Sequence, residues 1–495
     1  MDRSRFEQRI RDAINASPDG MAVDHDGETC SWEHFASVVS ALGELLDASG
    51  VPDAARIGLA GRNLPAHFAA ATGIFLANRC TSMVYAFQSP ASLAADIAEN
   101  RWPVLLAEQR DWTHEVIAAA DASGTVGFAV AGDGGPAFER VTRHDRPGPQ
   151  SLAGEQAGLV LELLSSGTTG KPKRIPLDRE AVDEMIERTI FQFELSGPAS
   201  GVTQIIPWPV VSLGGVNALL PAMALGQSIA IQERFDAHGM LELIRKYAPP
   251  FLSLPPSGLA RMLQLDPPRE VFESVKLYFS GTAPLDPNVR DRMMDEYGIS
   301  VAEAYGATEF AGIISSWVPE DLHLTREKAG SVGRALPGIS IRIVSPESGE
   351  ELPQGERGLV EALVPRIGDG WVRTNDVAWL DEDGFLFLEG RADDAINRGG
   401  FKIVPEEVAE VLRLHPKVGD AALVGIADAR SGHLPAAVVE PRDPCEMPDE
   451  DELLAFLRER LPSYKLPARW AIVSEIPRTA TLKPRREGLK ALFGE

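Results

Sequence analysis

The chain has 495 residues, 44% hydrophobic and 24% charged, an ordinary globular composition too long for one hydrophobic core, so two or more domains are expected. Forty-eight basic against 72 acidic residues leave a formal charge of −24, which argues against a nucleic-acid or anionic-membrane binder. Cys30, Cys80 and Cys445 form no CxxC pair and no metal-ligand spacing, so reduced thiols in a cytoplasmic enzyme are expected, not disulfides or zinc.

The amino terminus, Met-Asp-Arg-Ser-Arg-Phe-Glu, lacks the apolar core of a signal peptide, and the apolar run 68–77 is too short to span a bilayer. Residues 56–60 read as an apolar strand, 64–77 as a helix and 81–85 as a second strand. Ser89 as N-cap and Pro90 at N1 open a helix to about residue 100, and 104–107 is a third strand. This alternation predicts an α/β fold built on a parallel sheet with crossover helices. The Gly-, Pro- and charge-rich 131–150 reads as a surface loop. Residues 159–164 and 205–206 read as strands, and 240–246 and 288–297 as helices.

From about residue 340 the texture changes. Short strands at 340–344, 358–363, 372–374 and 385–388, separated by turn residues, predict a small β-subdomain. After Gly390 the tail alternates helix 406–414, strands 421–424 and 436–439, helix 450–460 and strand 471–473. The expected division is a large domain over 1–390, sheets flanked by helices plus the β-subdomain, and a small α+β domain over 391–495.

Between strand 159–164 and a second strand-like run at 175–177 lies Ser165-Ser166-Gly167-Thr168-Thr169-Gly170-Lys171-Pro172-Lys173. Its glycines let backbone N–H groups approach a ligand, its hydroxyls donate to phosphate oxygens and its lysines add charge. It lacks the Gly-Lys-Ser/Thr step of a Walker A loop. The same residue types also make an exposed hairpin turn.

The string resembles the signature of the adenylate-forming superfamily, which includes acyl-CoA synthetases, and further motifs follow in that family's order. These are Ser280-Gly281-Thr282-Ala283-Pro284-Leu285, Tyr305-Gly306-Ala307-Thr308-Glu309, Thr374-Asn375-Asp376, Gly390-Arg391-Ala392-Asp393-Asp394, Gly399-Gly400-Phe401-Lys402-Ile403 and Pro477-Arg478-Thr479 with Lys483. The resemblance covers almost the whole chain. It implies ATP-dependent activation of a carboxylic acid to acyl-AMP, with release of pyrophosphate, then transfer to the thiol of CoA. A freestanding ligase that loads the phosphopantetheine arm of a carrier protein stays open as the alternative.

The resemblance also implies roles, with ATP, Mg²⁺ and CoA as cofactors. Ser165, Ser166, Gly167, Thr168, Thr169, Gly170 and Lys173 would hold phosphates; Thr282, Ala283, Pro284, Ala304, Tyr305, Gly306 and Ala307 would surround adenine, with the Tyr305 ring stacked on it. Thr308 would bind the α-phosphate and Glu309 the metal. Asp376 would accept from the ribose hydroxyls with Arg391 beside it, and Lys483 would bridge carboxylate and α-phosphate in adenylation. Asp393 is the expected hinge, Gly400 the opening for a pantetheine arm, and Lys402 a phosphate contact. Val211, Ser212, Gly214 and Gly281 are the expected acyl pocket; Val211 and Ser212 replace an aromatic-His pair, which implies an apolar acid larger than acetate, whether aromatic, alicyclic or a medium- to long-chain fatty acid. No nucleic acid and no integral membrane contact are expected.

Three positions depart from the family pattern. Arg174, Asn375 and Leu482 stand where glycine is usual. None removes a charged or liganding group, so an active enzyme is expected; Leu482 is expected to stiffen or shift the turn before Lys483.

Overall fold

The computed structural model describes residues 5–131, 136–152, 158–164, 174–194, 201–281, 283–307, 310, 312–365, 367–392, 394–398, 401–428, 432–479 and 482–495. They form two compact units, Met1–Ser253 and Leu254–Glu495.

In the first unit the predicted strand–helix alternation becomes a seven-stranded sheet in the order Phe138–Arg140, Val126–Val130, Val104–Glu108, Arg56–Gly61, Cys80–Tyr85, Leu159–Leu164, Arg174–Asp178. The five inner strands are parallel and each edge strand is antiparallel to its neighbour. The predicted helices are present as Pro65–Leu76 and Pro90–Asn100. Ser89 caps the latter by accepting from the Ser92 amide at 3.2 Å, with Pro90 in the first turn. The loop expected at 131–150 instead contributes the edge strand Phe138–Arg140 and the start of a short helix, Pro149–Leu152. The Gly and Pro residues at 147–149 lie beyond that strand and do not make the whole stretch irregular.

A second sheet runs Gln204–Ile206, Ile229–Ile231, Met21–His25, Glu28–Ser31. Helix Leu213–Ala224 carries Pro221 in its interior and is buried along most of its length, so it shows no amphipathic stripe to read.

In the second unit, parallel strands Leu277–Ser280 and Ser300–Glu303 lie side by side. A three-stranded antiparallel sheet follows, Tyr305–Ala307, Gly312–Ser316 and Arg334–Ala335. The predicted β-subdomain is a four-stranded antiparallel sheet of Ser340–Val344, Gly358–Leu363, Trp371–Leu380 and Leu386–Arg391. It shares a core of Tyr305, Phe310, Ile314, Val360 and Leu386 with the preceding sheet. The tail forms its own sheet around Val418–Asp428 and Gly432–Pro441, covered by helices Pro405–Arg413 and Glu450–Arg458 on one core and by Leu489 of Arg486–Ala491 on another.

Candidate functional site

The parallel strands Leu277–Ser280 and Ser300–Glu303 end together, in register Ser280 to Glu303, and their carboxyl ends lead into Gly281 and Ala304. Crevices at such strand ends are where α/β sheets bind ligands. Among the described residues, an added Cβ at Gly281 would touch the Ala304 carbonyl alone, at 3.7 Å, so these residues leave the backbone here open. Ala304 is tied back by its amide to the Ser280 carbonyl at 2.8 Å, while Ala283 is half-buried and Pro284 exposed. Gly306 is fixed by close approach, because a Cβ would lie 2.4 Å from the Gly312 carbonyl of the paired strand. Ala307 is half-buried in the same pairing.

Tyr305 is 7% exposed, with its ring edge-on to Phe310 at 6.2 Å between centroids. Its hydroxyl donates to Asp376 Oδ2 at 2.5 Å, with Thr374 Oγ1 3.4 Å away. Burial and the adjacent Asp376 carboxylate push the Tyr305 phenol above its ordinary range, so it remains a donor. Asp376 sits opposite Arg391 in the antiparallel ladder, and Arg391 Nη1 lies 3.5 Å from Asp376 Oδ1. The Asp376 amide donates to Thr374 Oγ1 at 3.1 Å. Asn375, side chain exposed, gives its carbonyl to the Ala392 amide at 2.7 Å. Arg391 also faces Asp394 at 3.9 Å, and Asp394 in turn takes a 3.0 Å bond from Arg486. Two predicted ligands and one predicted stacking residue thus meet in one hydrogen-bonded corner.

Lys483 is half-buried and tied to Thr479 by reciprocal bonds, Thr479 N–H to the Lys483 carbonyl at 2.8 Å and Lys483 N–H to Thr479 Oγ1 at 3.2 Å. Leu482 has φ +61°, a left-handed conformation that costs a non-glycine residue about 1–2 kcal/mol. Its carbonyl accepts from Arg478 Nη1 at 3.1 Å and from Ser257 Oγ at 3.2 Å. The Arg478 side chain is 6% exposed, bonded to Asp420 and 3.7 Å from Glu440.

A group of carboxylates lies behind these residues. Burial, offset in part by Arg290, pushes Glu303 up to about 7, with Glu410 adding repulsion. Burial and then Glu406 likewise push Glu410 up to about 7. Asp420 moves the other way: burial works against its charge, but the Arg413 and Arg478 guanidiniums hold it below the ordinary range.

In the first unit, strands Leu159–Leu164 and Arg174–Asp178 pair antiparallel with Leu164 opposite Arg174 as the last pair. The Ser/Thr/Gly string therefore connects the two arms of a hairpin. Arg174 Nη1 donates to Ser82 Oγ at 3.1 Å and to the Met83 carbonyl at 2.8 Å, lies 3.6 Å from Glu162, and its guanidinium sits 4.9 Å from the Trp102 ring. Glu162 is buried and bonded by Arg56 at 2.8 Å and by Ser82, to which Trp102 Nε1 also donates at 2.8 Å. Val211 is buried on Gly61, where a Cβ would lie 2.5 Å from the Val211 methyl. Ser212 caps helix Leu213–Ala224, accepting from Gly215 N–H at 3.0 Å and donating to the Pro209 carbonyl at 2.7 Å. Gly214 packs on the Trp208 ring, 3.0 Å from where a Cβ would be.

Ser165, Ser166, Gly167, Thr168, Thr169, Gly170, Lys173, Thr282, Thr308, Glu309, Asp393 and Gly400 lie outside the described residues. Lys402 is in strand Phe401–Ile403, opposite Asn397.

Residues 10–362 match the AMP-binding enzyme family, and residues 407–483 match the AMP-binding enzyme C-terminal domain. The chain belongs to the AMP-binding enzyme family. It is similar to the indoleacetate–CoA ligase of Aromatoleum aromaticum, 28% identical over 96% of this chain and 95% of that protein. The 2-succinylbenzoate–CoA ligase of Bacillus licheniformis is 30% identical over 66% of this chain and 69% of that protein. Among solved structures, o-succinylbenzoate CoA synthetase (MenE) from Bacillus subtilis, in complex with the acyl-adenylate intermediate OSB-AMP, has the same fold. Its TM-score is 0.77 at 21% identity, covering 99% of this chain and 98% of that one.

Sequence reasoning left two features of this AMP-binding enzyme without a purpose. Arg174 is a half-buried tether between the end of the hairpin and the neighbouring central strand; the buried Glu162 is its signal in the sequence, an acid inside an otherwise apolar strand. Ser257 carries no sequence signal at all, because only the fold brings it to the Leu482 carbonyl. Among the described residues no helix is long and apolar enough to cross a membrane.

Proposed function

We propose that this AMP-binding enzyme activates a carboxylic acid with ATP, releasing pyrophosphate, and passes the acyl group from acyl-AMP to CoA. The observation that carries the reading is the convergence of Tyr305, Thr374 and Arg391 on Asp376 at the end of a parallel strand pair. Asp376 is an acceptor already oriented by its neighbours, suited to two vicinal hydroxyls of a ribose. Tyr305 would flank adenine beside the open backbone of Gly281–Ala304, with Ala283, Pro284, Gly306 and Ala307 around the base.

Within the same reading, Thr168, Thr169 and Lys173 take the β- and γ-phosphates, and Thr308 the α-phosphate. A carboxylate at Glu309 suits Mg²⁺, whose charge when bound offsets that of the phosphates. Lys483 supplies a positive charge to the oxygens between which negative charge develops in adenylation. Residues 391–495 move as a body about Asp393, after which Gly400 admits the thiol arm and Lys402 meets a phosphate. The acyl contacts of this reading are Val211, Ser212 and Gly214. The named relatives act on indoleacetate and 2-succinylbenzoate, which favours an aryl acid over a fatty acid here. A cytoplasmic setting belongs to the same reading, with three free cysteines. CoA is preferred to a carrier protein because both of these relatives are CoA ligases.

A panel of acids, indoleacetate, 2-succinylbenzoate, 4-coumarate, octanoate, acetate and phenylalanine, assayed for ATP- and CoA-dependent thioester, tests this. Aryl acids should be fastest. Fastest turnover of acetate or phenylalanine, or acyl transfer to a carrier but not to CoA, would overturn the corresponding part.

A further inference from the structure

Among the described residues of the proposed catalytic machinery, the one before Lys483 holds a branched side chain in left-handed backbone, Leu482 at φ +61°. Glycine enters this region freely, whereas leucine does not, so another interaction must hold the turn. The Leu482 carbonyl has both lone pairs engaged, by Arg478 Nη1 at 3.1 Å and Ser257 Oγ at 3.2 Å. Arg478 is itself immobilised, 6% exposed and bonded to Asp420. The clamped carbonyl belongs to the peptide plane that continues into the Lys483 amide, whose hydrogen goes to Thr479 Oγ1. Fixing that plane, with the Lys483 carbonyl held by the Thr479 amide at 2.8 Å, restrains the direction in which the Lys483 side chain leaves the backbone.

We propose that Arg478 is a positioning residue for Lys483. With Ser257, it holds the Leu482–Lys483 peptide in a conformation that glycine would adopt unaided. The inference rests on the reading of Lys483 as the adenylation lysine.

The test is a cycle of Arg478→Gln and Leu482→Gly with two readouts. In the free enzyme, amide hydrogen exchange over residues 478–484 should speed up about tenfold in Arg478→Gln and return toward the parent rate in the double variant. With indoleacetate, ATP and pyrophosphate, Arg478→Gln should slow exchange of label into ATP about tenfold or more. Thioester formation from supplied indoleacetyl-AMP and CoA should stay within about twofold, since the proposed role concerns the adenylation step alone. The double variant should recover adenylation to within about threefold of Leu482→Gly alone. Ser257→Ala, which leaves the buried Arg478–Asp420 pair intact, should loosen the turn in the same direction by about threefold and guards against misfolding of the arginine variant. Unchanged hydrogen exchange in both Arg478→Gln and Ser257→Ala, or loosening that Leu482→Gly fails to rescue, would overturn the proposal. Lys483→Ala separates the two layers: full adenylation in that variant removes the underlying reading, while its loss beside a normal Arg478→Gln removes only the positioning role.

Discussion

Tyr305 donates its phenolic hydrogen to Asp376, 2.5 Å away across 71 positions of sequence. A residue proposed for adenine is thereby joined to a residue proposed for ribose, and the two halves of a nucleoside site become one mechanical unit.

That bond separates the aromatic ring from its hydroxyl. Tyr305→Phe keeps the ring on Phe310 but removes the donor that fixes Asp376. A hydrogen bond to a carboxylate is worth about 1.5–3 kcal/mol, so KM for ATP should rise about tenfold or more while kcat changes less. Tyr305→Ala should cost more than Tyr305→Phe, because contact area is lost as well. Steady-state kinetics at varied ATP decides; equal KM values for Tyr305→Phe and the parent would remove the positioning role of the hydroxyl.

Arg174 gives a prediction opposite to expectation from relatives. Glycine is the usual residue in the family, yet Arg174→Gly here removes donors to Ser82 and Met83 and one of two cations beside the buried Glu162. Breaking a buried pair costs about 3–5 kcal/mol, and Arg56 still pairs with Glu162, so a loss of about 2–3 kcal/mol is expected in urea unfolding. A loss below about 0.5 kcal/mol would show that Arg56 alone satisfies the acid.

Glu303 and Glu410 set a pH dependence. Both are pushed to about 7 in the folded protein, against 4.5 for a free glutamate. The folded state then holds more protons than the unfolded state between those values, so stability falls as pH rises from about 4.5 to 7 and levels off above. Glu303→Gln cannot ionise and should flatten part of that decline, with the variant relatively more stable at pH 8 than at pH 5. Melting temperatures of both proteins across pH 5–8 measure it; parallel curves would place the Glu303 titration outside this window.

The parallel sheet was readable because apolar strands and helices alternate from 56 to 107 with Gly, Pro and Asn punctuation between them. Helix Leu213–Ala224 was not, since it is apolar on all sides and holds Pro221 and two glycines, which removes both periodicity and propensity. Motif order led to Tyr305, Asp376 and Arg391, and the structure brings these together. What spacing could not convey is partnership. Nothing in the string Thr374-Asn375-Asp376 points to a tyrosine seventy residues earlier, and the Leu482 clamp joins segments 225 positions apart. Such pairings come from the crossing of elements, which no local pattern encodes.

The missing Cβ of Gly61 and the methyls of Val210 and Val211 occupy the same small volume. Residue 61 ends a central strand, and Asn63 just beyond it holds the valine segment by accepting from Val210 N–H at 2.9 Å and donating to the Trp208 carbonyl at 3.1 Å. Positions 61 and 211 are therefore a single design variable. A substitution that enlarges or shrinks the side chain at 211 will change stability with a sign that depends on residue 61, and libraries that vary one position alone will miss the combinations that fit.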